Sequence, residues 1–135
     1  VIDCDALGHE ALRQPAIIGQ VVGRWGESVR KPDGSLDRRA IGRIVFADPA
    51  ERSALEGLVF PYIAGRCAAG IDRAMTDPAA RFVVLDAAVL LEAGWNTATD
   101  KVVYIDAPRE VRLARVQARS GWTAADLAAR EAAPW

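Results

Sequence analysis

At 135 residues, 51% hydrophobic and 26% charged, the chain is long enough to bury one substantial core. Its net charge of −1 argues against a general nucleic-acid binder, which needs a basic excess. No run reaches the roughly 18 consecutive apolar residues of a membrane span, and no charged-then-apolar leader is present, so a soluble cytoplasmic protein without membrane partners is expected.

The chain opens on Val1-Ile-Asp-Cys-Asp5, which reads as the end of a buried strand. A short helix is expected from Ala6 to Arg13, stopped near Gln14-Pro15. A second should run from about Ala16 to Trp25, burying Ile17, Ile18, Val21, Val22 and Trp25. Pro32-Asp33-Gly34 marks a turn. Ser35 or Asp37 then caps a helix that reaches Phe46 with an Ile41, Ile44, Val45 stripe. Asp48-Pro49-Ala50-Glu51 is a helix start, with an N-cap Asp, Pro at the first position and Glu at the third. That helix should kink or restart at Pro61 and end at Met75.

Phe82 to Leu85 and Val102 to Ile105 are unbroken apolar runs, each followed by Asp, as in parallel strands covered on both faces. Between them Val89 to Glu92 reads as a helical segment ending at Gly94. Pro108 opens a helix carrying Arg109, Arg112, Arg115 and Arg119. Beyond a Ser120-Gly-Trp122 hinge, Thr123 and Asp126 form a capping box for a last helix that stops at Pro134-Trp135. The pattern is that of an α/β protein with a parallel sheet.

The residues that bear on chemistry are few. Asp3 and Asp5 lie at a strand's carboxyl end, where open α/β sheets bind ligands. Continued strand alternation would put them on one face, as a base for a substrate hydroxyl and an indirect holder of Mg²⁺. The competing reading makes Asp5 the cap of the following helix. His9, the only histidine, lies one helical turn past Asp5 and reads as structural. Arg112, Arg115 and Arg119 have only Glu110 as an acid on their own helix. They form either a phosphate clamp on a mobile lid or a solvated face. Of the 17 basic residues only Lys31 and Lys101 are not Arg, a bias that genome composition also produces. Cys4 and Cys67 are too few and too separated in sequence for a metal site or disulfide framework, and read as small core fillers. Trp25, Trp95, Trp122 and Trp135 read as core, although Trp95 and Trp122 adjoin loop glycines where a ring can meet a ligand.

Taken in order, these segments resemble the dephospho-coenzyme A kinase family over nearly the whole chain. Residues 1–9 resemble its strand ending in Asp-Ala-Asp. Asp33 to Phe46 resembles its substrate-domain stretch, the most specific segment. Asp48-Pro49, Leu58-Val-Phe-Pro61, Val84 to Glu92 and Val103 to Arg119 follow at family spacing. The resemblance implies a P-loop kinase-like parallel sheet flanked by helices, in one domain over 1–135. A helical substrate-binding insertion would occupy about 14–80 and a helical lid about 109–135. It implies transfer of phosphate from ATP, with Mg²⁺, to the ribose 3′-hydroxyl of dephospho-coenzyme A. Asp5 would be the base with Asp3 beside it. Arg38, Leu90, Leu91 and Glu92 would seat dephospho-coenzyme A, and Arg115, Arg119 and Arg130 would reach the ATP phosphates. The chain departs from the family at Phe60, where His is usual, at Ala88, where Pro is usual, and at Pro134, where Gln is usual. Phe60 and Ala88 leave room for another small-metabolite or nucleoside kinase, and a protein that had kept the substrate pocket but lost the phosphate loop would be a non-catalytic module binding a coenzyme A-type ligand.

No Gly-x-x-x-x-Gly-Lys-Ser/Thr phosphate loop occurs in the 135 residues. By the resemblance, the loop and its strand would precede Val1, that strand lying between 82–86 and 102–106, and a final strand and helix would follow Trp135. The sheet is therefore expected to be incomplete, each buried unsatisfied backbone group costing about 1–3 kcal/mol. These residues alone are expected to be inactive. They would be an excerpt of a longer chain, or would take a strand from a partner or a second copy.

Overall fold

The computed structural model describes residues 1–132, so Pro134 and Trp135 lie outside the described residues. Two compact units make up the chain, Val1–Trp95 and Asn96–Trp135.

In the first unit, β1 (Ile2–Asp3) runs parallel to β2 (Leu85–Asp86), with Ile2 opposite Leu85 and Asp3 opposite Asp86. The Val84 carbonyl accepts the Ile2 amide at 2.7 Å. The run from Phe82 thus contributes only its end to the ladder, and Phe82 is 80% exposed. Helix α1 (Cys4–Ala11) begins two residues earlier than the pattern suggested. Asp3, rather than Asp5, is its N-cap, so strand alternation never carries the two carboxylates onto one face.

Helix α2 (Pro15–Trp25) buries Ile17 and Val21, as its apolar spacing requires. Asp37 starts α3 (Arg38–Ala47), its Oδ1 accepting the amides of Arg39 and Ala40 at 2.9 and 3.2 Å. Asp48 does the same for α4 (Pro49–Met75), accepting the Ala50 amide at 2.8 Å, with Pro49 at the first helical position. Glu51 does not complete a capping box. Its two oxygens are taken by Arg24 Nε and Nη2 at 2.8 and 3.0 Å and by Trp25 Nε1 at 2.7 Å. Helix α4 continues through Pro61 with no restart, at the loss of one amide donor.

Helix α4 packs against α1, α2 and α3, and Val21 and Val29 are fully enclosed at the centre of this cluster. Burying one such side chain contributes about 1.5–3 kcal/mol. Gly70 lets β1 approach α4: a Cβ there would stand 2.8 Å from Ile2 Cδ1. Val89 to Glu92 is not a regular helix. Residues 88–94 form hydrogen-bonded turns, closed by the Ala93 amide on the Val89 carbonyl (2.9 Å) and the Trp95 amide on the Leu90 carbonyl (3.0 Å).

In the second unit the apolar run Val102–Ile105 is not a strand, and Tyr104 and Ile105 are 85% and 81% exposed. An extended segment becomes a strand only when a neighbour pairs its amides and carbonyls, and no described segment pairs with this one. Helix α5 (Arg109–Ser120) ends at Gly121, whose φ of +68° is the left-handed conformation glycine adopts without strain. Thr123 and Asp126 then form the expected reciprocal cap of α6 (Ala124–Ala132): Asp126 Oδ2 accepts the Thr123 amide at 2.8 Å, and Thr123 Oγ1 accepts the Asp126 amide at 3.2 Å.

Candidate active site

A cleft of about 380 Å³ opens in the first unit beside the carboxyl end of β1. Small-ligand sites begin near this size. Helices α1 and α4 form two of its sides and the turns at 88–95 a third. Most of the lining is apolar, including Leu12, Leu55, Val59 and Ile63, and its ionisable groups with polar tips are Asp5, His9 and Glu56.

Each polar group owes its place to local structure. Asp3 ends β1, and its Oδ1 accepts the Ala6 amide at 2.8 Å, which fixes where α1 begins. Asp5 consequently falls in the first turn of α1, exposed and lining the cleft. Among the described residues the Asp5 carboxylate accepts no hydrogen bond. The cleft is thus largely apolar, with an exposed carboxylate in the first turn of α1 that has no partner among the described residues.

His9 lies one turn on, as its spacing indicated, and also lines the cleft. Arg38, from the first position of α3, donates from Nη2 to His9 Nε2 at 2.8 Å. Because guanidinium only donates, this imidazole nitrogen is the acceptor and the ring proton sits on Nδ1. Phe60 and Trp95 close the apolar end as an edge-to-face pair, with centroids 5.3 Å apart and planes at 64°. Ala88 and Val89 line the cleft, whereas Leu90, Leu91 and Glu92 do not; Leu91 is 64% exposed.

Cys4 also borders the cleft, and its Sγ lies 3.5 Å from Cys67 Sγ in the core. Burial first, then the Cys67 contact and the nearby charges of Asp3 and Asp5, push the Cys4 thiol up to about 12. It stays protonated and unreactive, as a core filler should.

Arg115 and Arg119 lie exposed on α5 of the second unit, and neither makes an ion pair or side-chain hydrogen bond among the described residues. Arg112 and Arg109 differ, because Glu131 of α6 pairs with them at 2.6 and 3.2 Å. Arg130 lies over the Trp122 ring at 5.4 Å.

Sequence reasoning singled out Phe60 but passed over the rest of the α4 wall. Leu55, Glu56, Val59, Phe60 and Ile63 recur at helical spacing, and that periodicity was the available signal. It could not show which part of the stripe meets other helices and which part lines a cleft.

Among the described residues no three metal-ligating side chains cluster. Mg²⁺ in nucleotide sites takes one or two carboxylates, with phosphate oxygens and water completing its shell. Asp3 is a carboxylate of that kind, since its Oδ2 carries no hydrogen bond among the described residues.

The fold belongs to the α/β, P-loop kinase-like class. The crystal structure of TT1252 from Thermus thermophilus matches with a TM-score of 0.75 and 33% identity, covering 96% of this chain and 64% of that one. The family model described as dephospho-CoA kinase matches residues 1–134, and the chain belongs to that family. The dephospho-CoA kinase of Symbiobacterium thermophilum is 42% identical over 139 residues, covering 98% of this chain and 56% of its own length. That of Dechloromonas aromatica is 35% identical over 143 residues, with 98% and 63% covered. The chain thus spans about three fifths of the length of the curated relatives it matches.

Proposed function

We propose that the complete protein transfers phosphate from ATP to the ribose 3′-hydroxyl of dephospho-coenzyme A, the last step of coenzyme A biosynthesis. The observation that carries this reading is the unpartnered Asp5 carboxylate at the polar edge of an otherwise apolar cleft. Family membership supplies the identity of the acceptor.

Asp5 accepts the proton of the ribose hydroxyl as that oxygen attacks the terminal phosphorus of ATP, whose bond to the bridging oxygen breaks and releases ADP. Asp3 holds the start of α1, and with it Asp5, in place. The apolar lining and the Phe60–Trp95 pair exclude water and hold the uncharged parts of the acceptor, while Arg38 meets an anionic part. Leu90 to Glu92 support the acceptor through the turn that presents Ala88 and Val89. Arg115 and Arg119, and with them Arg130, serve the phosphates of ATP, where planar guanidinium forks bind two oxygens at once. Mg²⁺, when bound, offsets the negative charge of those phosphates. The phosphate loop this chemistry requires is not among the 135 residues, so the activity is assigned to the complete protein and not to this stretch alone. A cytoplasmic protein fits this role, and no helix among the described residues is long and apolar enough to cross a membrane.

Phe60 and Ala88, two of the departures from the family pattern, both line the cleft. That placement favours, as a second reading, a related acceptor of different shape. Labelled phosphate transfer from ATP, compared across dephospho-coenzyme A, adenosine and other nucleosides, separates the two. Preference for dephospho-coenzyme A supports the first reading, and preference for a nucleoside overturns it.

A further inference from the structure

Of the ten arginines of the first unit, Arg13, Arg39, Arg43, Arg73 and Arg81 make no side-chain ion pair or hydrogen bond among the described residues, and the other five are held by a partner. Arg24, Arg30, Arg52 and Arg66 lie against the carboxylates of Glu51, Glu27, Glu56 and Glu10. Arg38 instead donates to the neutral Nε2 of His9 at 2.8 Å and meets no carboxylate among the described residues. A carboxylate would also hold a guanidinium still, but it would cancel the charge. A neutral acceptor orients the group and leaves its charge for something else. Asp37, by fixing the first turn of α3 through two backbone amides, sets the point from which Arg38 extends. His9 itself lines the cleft and Arg38 does not, so the guanidinium reaches the cleft wall at the His9 ring, 2.8 Å from its Nε2.

We infer that His9 is a positioning residue, an uncharged acceptor that holds Arg38 as an unneutralised receptor for the diphosphate of the acceptor substrate. The inference rests on the proposed reaction for the identity of that ligand. It deepens that reading by dividing the site into an apolar part, a carboxylate that takes a proton, and an oriented cation whose partner must be an anion. His9 does not act as a base here, because its Nε2 lone pair is occupied by Arg38.

The test uses the complete protein with a non-hydrolysable ATP analogue filling the donor site. Dissociation constants for dephospho-coenzyme A, which carries a diphosphate, and for adenosine, which does not, are measured by calorimetry for His9→Gln, His9→Ala, His9→Glu and Arg38→Ala. Gln offers a neutral acceptor and should stay within about threefold of wild type, whereas Ala and Glu should weaken dephospho-coenzyme A by about tenfold or more and leave adenosine nearly unchanged. In turnover, Ala and Glu should raise KM far more than they lower kcat. The His9→Ala, Arg38→Ala double variant should bind no worse than Arg38→Ala alone.

Full binding by His9→Glu would overturn the inference, because it would show that any acceptor suffices and charge is irrelevant. Unchanged binding by His9→Ala, or a wild type that does not prefer dephospho-coenzyme A to adenosine, would also overturn it. Should the wild type bind with this ranking yet transfer no phosphate, the proposed reaction fails and the role of His9 stands. Should it transfer phosphate while the ranking is missing, the role of His9 alone fails.

Discussion

Asp3 and Asp5, two positions apart, do different work: the Asp3 carboxylate accepts the Ala6 amide at 2.8 Å and caps α1, and Asp5, in the first turn of that helix, lines the cleft. The cap is what places the acid. An error in where α1 starts would rotate Asp5 by about 100° per residue about the helix axis, since the helix has 3.6 residues per turn.

The two substitutions Asp3→Ala and Asp3→Asn should therefore separate. Asn is as good an N-cap as Asp, whereas Ala costs about 0.5–2 kcal/mol. Thermal melts should show Asp3→Ala less stable and Asp3→Asn close to wild type. In the complete protein, Asp3→Ala should also lose more activity than the stability change alone explains, because Asp5 loses its fixed origin. Equal melting temperatures for the two variants would show that the cap does not hold α1.

Asp37 gives the fold a defined acid sensitivity. The amides of Ala40 and Arg39 hold its carboxyl below the usual carboxylate range. A depressed native pKa means the unfolded chain binds the proton more readily. The stabilisation is thus fully present above the unfolded value of about 3.9 and is lost as pH falls through the lower native value. Melting temperatures of wild type and Asp37→Asn should differ by a constant amount near neutrality and converge only below about pH 4. Convergence at a higher pH would mean the amides do not hold the ionised form.

The arginines of α5 should divide into two kinds. Arg109 and Arg112 are tied to Glu131, whereas Arg115 and Arg119 make no ion pair among the described residues. In the complete protein, Arg115→Ala and Arg119→Ala should each raise the KM for ATP by about tenfold or more and leave the melting temperature unchanged. Arg112→Ala should shift stability slightly and the KM for ATP little, as exposed ion pairs contribute little. A uniform effect across all four would mean that α5 presents only a solvated charged face.

Local signals were legible and long-range ones were not. Asp37, Asp48, Pro49 and the Thr123–Asp126 pair start helices by contacts within three residues, and each start appears where the sequence places it. The carboxylate of Glu51, by contrast, goes to Arg24 and Trp25, partners 27 and 26 residues away, which no capping pattern contains. Cys4 and Cys67, 63 residues apart, meet in the core for the same reason. Val102 to Ile105 has strand composition, but composition makes a strand only where a neighbour pairs with it. At the cleft, Asp5 was legible from its place after β1 and Phe60 from its departure from the family pattern. The bond between His9 and Arg38 depends on how α1 and α3 pack, and a lone histidine carries no mark of that.

The central claim is that Asp5 takes the proton from the acceptor hydroxyl. Single-turnover phosphate transfer from ATP to dephospho-coenzyme A by the complete protein, wild type against Asp5→Asn, tests it most directly. The account predicts that the variant binds dephospho-coenzyme A as wild type does and transfers phosphate about 10²- to 10⁴-fold more slowly. A variant that binds normally and transfers at the wild-type rate would contradict it.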